Sequence, residues 1–129
     1  MEIDDVFALV GRLLIAAIFL ASAFGKVTAF AETVKYMEAH GMPAAVFFCA
    51  AAAVVEALGG LSLILGFQAR WGAAGLGAFL VAATWIFHPL SAPDQRIHLL
   101  KNLAILGGLC QVAAFGPGAL SLEGRSRPY

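Results

Sequence analysis

Four long apolar runs divide the chain and indicate its architecture. They cover residues 6–24, 44–66, 71–90 and 97–115. Each run is close to the ~20 residues with which a helix crosses ~30 Å of hydrocarbon, at about 1.5 Å per residue. Strands of a membrane β-barrel are about half as long and alternate in polarity, which these runs do not. The pattern predicts an all-α fold, a transmembrane four-helix bundle.

The segment between the first two runs is amphipathic. Its apolar residues recur at helical spacing, and charged residues occupy its other faces. The apolar members are Val27, Phe30, Val34 and Met37. Gly41 and Pro43 then form a helix-stop signal. The pattern predicts a short amphipathic interfacial helix over about residues 28–40, on the membrane surface or capping the bundle. The alternative is an ordered loop that covers the helix ends.

Composition favours lipid as the surroundings of these helices. Of the 129 residues, 61% are hydrophobic and 12% are charged, about half the charged fraction of an ordinary soluble domain. So short a chain has too little polar sequence to enclose four apolar helices in water. We therefore expect one integral membrane domain over residues 1–129, with the lipid bilayer around it. The formal net charge is zero, which removes an electrostatic basis for nucleic-acid binding.

The two ends of the predicted bundle carry similar numbers of basic residues, so the sequence specifies orientation only weakly. Arg70, Arg125 and Arg127 lie in short segments on the side of the chain termini. For that reason we expect both termini in the cytoplasm. The tail, residues 116–129, begins with a Gly-Pro-Gly sequence and is predicted to be a mobile end.

Glu56 is the sharpest chemical feature, because it lies near the middle of the second run. An ionisable group there costs about 2.5–3.5 kcal/mol on insertion scales, so it needs a partner or a purpose. The same helical face carries small residues that let a neighbouring helix approach closely. They are Cys49, Ala52, Ala53, Gly59 and Gly60. We expect Glu56 to point into the bundle, either protonated or paired with Arg12, Lys26 or Lys101.

Alternating helix directions gather further polar residues at one membrane side, above Glu56. They are Lys26, His40, His88, His98, Lys101 and Asn102. From this polar mouth we select candidate catalytic residues, which are Glu56, Lys101 and His88. The candidate cofactor-binding residues are Arg12, Lys26, His98 and Asn102.

A purely structural interpretation of these residues stays open beside the functional one. Arg12 would snorkel to the headgroups, and His88 and His98 would cap helix ends at the interface. Glu56 with Lys101 or Arg12 would be a buried pair that fixes the register of the helices.

The histidines and cysteines do not form a recognisable cofactor motif. Paired histidines at facing depths and a Cys-x-x-Cys-His sequence are both absent, so we expect neither a metal nor haem. Cys49 and Cys110 differ in predicted depth by two turns or more, which excludes a disulfide between them. Each thiol is predicted to be a small buried apolar residue.

Short motifs in a fixed order resemble the DoxX family of small four-helix bacterial membrane proteins. They are Gly11-Arg12, Phe24-Gly25-Lys26, Gly41-Met42-Pro43, Glu56 with Gly59-Gly60, residues 63–67, and Arg70. His88 and the Lys101-Asn102 pair also fit, so the resemblance covers about residues 6–115. It implies a multi-pass protein of the bacterial inner (plasma) membrane. The family takes its name from a subunit associated with a terminal quinol oxidase and with thiosulfate:quinone oxidoreduction, and relatives are linked to thiol handling.

Three functions compete at this level. The first is a membrane subunit of a quinone- or thiol-linked redox system, with a polar site around Glu56 and quinone as its candidate cofactor. The chain has no prosthetic-group motif, so electron transfer needs a protein partner or bound quinone. If the chain is an enzyme at all, it is an oxidoreductase subunit. The second is a non-enzymatic anchor or scaffold for a soluble redox partner. The third is a small-molecule transporter, which requires a homo-oligomer because four helices are few for a pathway.

Overall fold

The fold is described from a computed structural model, over residues 2–87 and 96–122. These residues form five α-helices and no strand, which confirms the predicted all-α class. In chain order the helices are α1 (Ile3–Thr28), α2 (Phe30–Ala39), α3 (Ala45–Leu65), α4 (Ala69–Phe87) and α5 (Arg96–Phe115).

Each predicted apolar run falls on one long helix. Four helices are long and apolar enough to cross a membrane, namely α1, α3, α4 and α5. α1 extends past the predicted run at both ends. Its start is stabilised by a capping box between Glu2 and Asp5. Asp4 and Asp5 also lie in the first turn, where the helix dipole has its positive end. The predicted end of the third run, residues 88–90, lies outside the described residues.

The long helices run antiparallel, so the bundle has two ends. We call the end with α2 and the connection from α2 to α3 the loop side. We call the other end the terminal side; it holds the start of α1, the turn between α3 and α4, and residues 116–122. α3 ends there at Gly66, whose φ of 67° suits a residue without a Cβ. Residues 66–68 form the short turn between α3 and α4.

α3 lies between α1 and α4, because two adjacent glycines let both neighbours approach closely. A Cβ on Gly60 would come within 2.8 Å of the Leu20 side chain of α1. A Cβ on Gly59 would come within 2.5 Å of Leu76 of α4. The small-residue face predicted for the second run is therefore a packing face. Its core also includes Phe19 and Leu63, both buried.

The predicted short helix is present as α2. Val34 and Met37 pack on Ala45 and Cys49 near the start of α3. The register of α1 on α3 explains the arrangement: Leu20 lies opposite Gly60, so the end of α1 lies opposite roughly residue 52. The first turns of α3 project beyond α1, and α2 covers them. The position of α2 at a membrane surface stays a prediction.

The predicted mobile tail is wrong for residues 116–122. Pro117 and Ser121 are buried there, and Gly118 lies against Ala8 of α1. The apolar content of this segment is low, so its packing depends on hydrogen bonds that arise only in the folded bundle. Residues 123–129, with Arg125 and Arg127, lie outside the described part.

Large apolar side chains cover the outer faces of the long helices. Examples are Phe7, Leu14, Phe47, Leu58, Trp71 and Trp85, all exposed. A soluble monomer rarely presents so much contiguous apolar surface. Lipid around the bundle accounts for it, since all backbone groups within a helix are already bonded.

Candidate functional site

A lysine and a glutamate meet between α1 and α3. The Lys26 Nζ atom donates to Glu56 Oε1 at 2.7 Å and to Ser22 Oγ at 2.8 Å. The Glu56 side chain is 4% exposed and that of Lys26 is 19% exposed. This ion pair joins the end of α1 to the middle of α3. The prediction that Glu56 points into the bundle is confirmed.

The register of the two helices explains why Lys26 is the partner. From the Leu20–Gly60 contact, six residues along α1 reach Lys26 and four residues back along α3 reach Glu56. The remaining offset is about two residues, or ~3 Å. Side chains on a helix lean towards its N-terminus, so in antiparallel helices these two lean towards each other. The offset is thereby closed.

The surroundings of the pair are largely apolar. Ala23 of α1 and Ala52 of α3 are buried beside it. Cys49 is fully buried about two helical turns before Glu56, on the side of α2. The Cys49 thiol lies within electrostatic range of both charges. α2 closes this region from the loop side through Val34 and Met37. In such a low-dielectric setting the two charges stabilise each other, and either one alone is costly.

Arg12 is a second buried cation, but it lies at the opposite end of the α1–α3 interface. It is 1% exposed. Its Nη1 donates to the carbonyl oxygens of Leu63 at 2.6 Å and Ile64 at 3.3 Å, and its Nη2 donates to that of Leu120. The expectation that Arg12 pairs with Glu56 or snorkels to the headgroups is therefore wrong.

These Arg12 bonds satisfy groups that a helix end leaves open. The last carbonyls of α3 have no partner within the helix and carry its negative dipole end. Arg12 supplies that partner and joins the end of α3 to the tail at Leu120. Its Nε is buried and has no hydrogen-bond partner in the described structure.

The remaining predicted mouth residues lie on other helices. Asn102 Nδ2 donates to Thr84 Oγ1 at 2.9 Å, which joins α5 to α4. Lys101 and His98 are exposed at the start of α5. Since Glu56 is bonded to Lys26, Lys101 is not its partner. His40 directly follows α2, and its Nδ1 lies 2.9 Å from the Tyr36 carbonyl oxygen. His88 lies outside the described residues.

Two features of the site escaped sequence reasoning. Ser22 accepts a hydrogen bond from Lys26, and its spacing of four residues before Lys26 on one helix was the available signal. The tail contact at Leu120 had no such signal, because it joins residues 108 positions apart.

The two cysteines behave differently. Both are free thiols, as the predicted difference in depth required. Cys49 is buried, as expected, but Cys110 is exposed on the outer face of α5. The expectation of burial for Cys110 is wrong because α5 presents most of its surface away from the bundle. Among the described residues, no three His, Cys, Asp or Glu side chains gather as a metal site requires.

A shallow apolar groove lies on the outer surface between α3 and α4, on the terminal half. Gly59, Gly72 and Gly75 line its floor, and Phe67 and Trp71 lie at its rim. Glu56 does not line the groove. The groove therefore lies on the side of α3 that faces α4, whereas the ion pair lies on the side that faces α1.

Fold and site together define a helical integral membrane protein with four spans and a buried lysine–glutamate pair. The family model described as DoxX matches residues 7–89, which include Arg12, Lys26 and Glu56. The chain belongs to the DoxX family, as the motif order predicted.

Two curated relatives match along nearly the whole chain. "Inner membrane protein YqjF" of Escherichia coli (strain K12) is 35% identical over 123 residues, covering 95% of this chain and 93% of the relative. "Inner membrane protein YphA" of the same organism is 31% identical over 127 residues, covering 93% and 90%. No solved structure matches the chain significantly.

Proposed function

We propose that this protein is a membrane subunit of a quinone- or thiol-linked redox system, in which the Lys26–Glu56 pair exchanges protons with the substrate. The observation that carries the proposal is the pair itself, an ammonium and a carboxylate held 2.7 Å apart inside an apolar bundle. Intramembrane ionisable residues are expensive and are retained chiefly where they serve a purpose.

The pair has spare capacity for a ligand oxygen. An ammonium group has three N–H donors, and Lys26 uses two of them, on Ser22 and Glu56. The third is available to a carbonyl oxygen, and the 19% exposed fraction of Lys26 gives access. The residues therefore fit a quinone-type oxygen, which accepts hydrogen bonds when oxidised and releases protons on oxidation of the hydroquinone.

Each residue then has a distinct role. Lys26 donates a hydrogen bond that orients the ligand oxygen. Glu56 accepts a proton from a hydroxyl group and passes it on, as a general base does. A bound quinone would supply the two-electron chemistry, and a protein partner would have to carry the electrons, because this chain has no prosthetic-group motif.

Three other predicted site residues lie on α5 and take no part in the ion pair. Lys101 and His98 are exposed at the loop side. Asn102 holds α5 on α4 through Thr84. We place the protein in the bacterial inner membrane, as its relatives' names state for them, with both termini in the cytoplasm.

The direct test is quinone binding in lipid nanodiscs. We expect Glu56→Gln and Lys26→Met to weaken binding of a short-chain ubiquinone or menaquinone analogue by about tenfold, since each removes one contact to the ligand oxygen. Glu32→Gln and Lys35→Met are matched controls, because both residues are exposed on α2. Unchanged affinity in a folded Glu56→Gln protein contradicts the proposal.

A scaffold role makes a different prediction for the same pair. If the pair only fixes the register of α1 on α3, the double variant Lys26→Leu/Glu56→Leu keeps every function, since an apolar pair of similar size replaces a buried ion pair well. If the pair handles protons, the double variant folds and yet loses quinone binding and quinone-dependent activity in its membranes. The double variant thus separates the two roles.

A further inference from the structure

α5 is the least enclosed of the four spanning helices. Only 6% of its spanning window is buried, against 39% for α3. It packs on α4 and touches α1 chiefly through Gly108, where a Cβ would come within 2.9 Å of Ile15. Leu109 and Val112 mark its inward face. The opposite face has no partner within the described protomer.

The outward face of α5 carries a seam with the spacing of a left-handed helix pair. Steps of three and four residues alternate along it, which gives the 3.5-residue repeat of helices that wind around each other. The seam consists of Ile97, Leu100, Ala104, Gly107, Gln111 and Ala114, all of them exposed. At 100° per residue, approximately the helical value, Gln111 lies about 160° from Leu109 around the helix. The seam is therefore free to meet another helix without disturbing the bundle.

The middle of the seam permits close approach. Ala104, Gly107 and Ala114 are small, and a Cβ on Gly107 would meet nothing within 4 Å. Small residues at such positions let two backbones come together and gain van der Waals contact in lipid. At the loop side the seam carries two larger side chains, Ile97 and Leu100, which can pack against side chains of a second helix.

Gln111 indicates which kind of helix can pack on the seam, because its amide needs a hydrogen-bonding partner. It is exposed four residues before the end of α5, and its side chain leans towards the helix N-terminus, which is deeper into the bilayer. Lipid chains offer no partner to its amide, and no described residue hydrogen-bonds to it. An amide both donates and accepts, so an identical amide at the same depth satisfies it. Two copies related by an axis along the membrane normal bring two Gln111 residues to one depth.

We propose that the α5 seam is the interface of a homodimer, in which α5 of a second copy packs in parallel and the two Gln111 amides hydrogen-bond across the two-fold axis. A single polar residue in an apolar helix seam also selects register and partner. The proposal concerns assembly and is independent of the redox role of the Lys26–Glu56 pair.

Cysteine cross-linking in lipid tests the contact. The background is Cys110→Ala, which leaves the fully buried Cys49 as the remaining thiol. We expect Gly107→Cys to form a disulfide dimer under mild oxidation, because seam positions approach within the ~7 Å Cα limit. Leu58→Cys is the control: it is exposed on α3 at a similar distance from the terminal side. Equal cross-linking at positions 107 and 58 indicates random collision and overturns the proposal.

Native mass spectrometry of the full chain in nanodiscs tests the energetics. We expect Gln111→Leu to weaken dimerisation about tenfold and Gly107→Leu to give monomers. Gly75→Leu is the matched control, because that glycine is also exposed with nothing within 4 Å of a Cβ. It should leave the dimer intact. A monomeric parent protein, or a dimer that Gln111→Leu and Gly107→Leu leave unchanged, overturns the proposal.

Discussion

Each end of the α1–α3 interface holds a cation, Lys26 partly buried and Arg12 fully buried, and the two cations have different partners. Lys26 meets a carboxylate, Glu56, near the middle of α3. Arg12 meets carbonyl oxygens at the end of α3 and in the tail. Carbonyls cannot take up a proton at ordinary pH, whereas a carboxylate can. The Arg12 end therefore caps a helix, whereas the Lys26 end holds a carboxylate that could exchange protons, as the proposed function requires.

The largest stability effect is expected at the Lys26 end. Lys26→Met should lower the free energy of unfolding by about 3 kcal/mol, since it leaves Glu56 buried without its counter-charge. Unfolding in mixed detergent micelles measures this, with exposed Lys35→Met as control. A loss as small as the control's would show that the pair contributes little to the fold.

Arg12→Met should cost less, about 2 kcal/mol. It removes charge-assisted hydrogen bonds, but the carbonyls it leaves are neutral. The loss should be local, so limited proteolysis should cut residues 116–122 faster than in the parent protein. If the tail of the variant were cleaved as slowly as that of the parent protein, Arg12 would not hold Leu120 and the assigned capping role would be wrong.

Gly66→Ala should also act at the Arg12 end, at about 1 kcal/mol. The φ of 67° disfavours a residue with a Cβ, and that Cβ would press on Ser121 and on Arg12. We expect the same faster cleavage of the tail with quinone binding unchanged. Altered quinone binding would show that the two ends are coupled.

The smallest effect is expected for Lys26→Leu/Glu56→Leu. An apolar pair should restore stability to within about 1 kcal/mol of the parent, since neither charge is left unpaired. The same unfolding assay compares it with Lys26→Met. A double variant as unstable as the single one would show that shape, and not charge pairing, dominates at that end.

The sequence predicted where the helices lie but not which side chains contact one another. It predicted the four spans, the short helix and the inward direction of Glu56, because apolar run length and a small-residue face are local signals. It left three cations open for Glu56, since run positions give depth only approximately and do not give the register of α1 on α3. It also missed the packed tail, whose contact with Arg12 depends on a chain segment 108 residues away.

The sequence by itself determined the all-helical membrane fold, the family and the presence of an ionisable residue, with its free-energy cost, within an apolar span. Those properties follow from hydrophobic periodicity and length, which each segment expresses alone. Only the tertiary structure decided that Lys26 pairs with Glu56 while Arg12 caps α3. That pairing depends on the register of α1 against α3. The register is set by contacts such as that of Leu20 with Gly60, which exist only when both helices are in place.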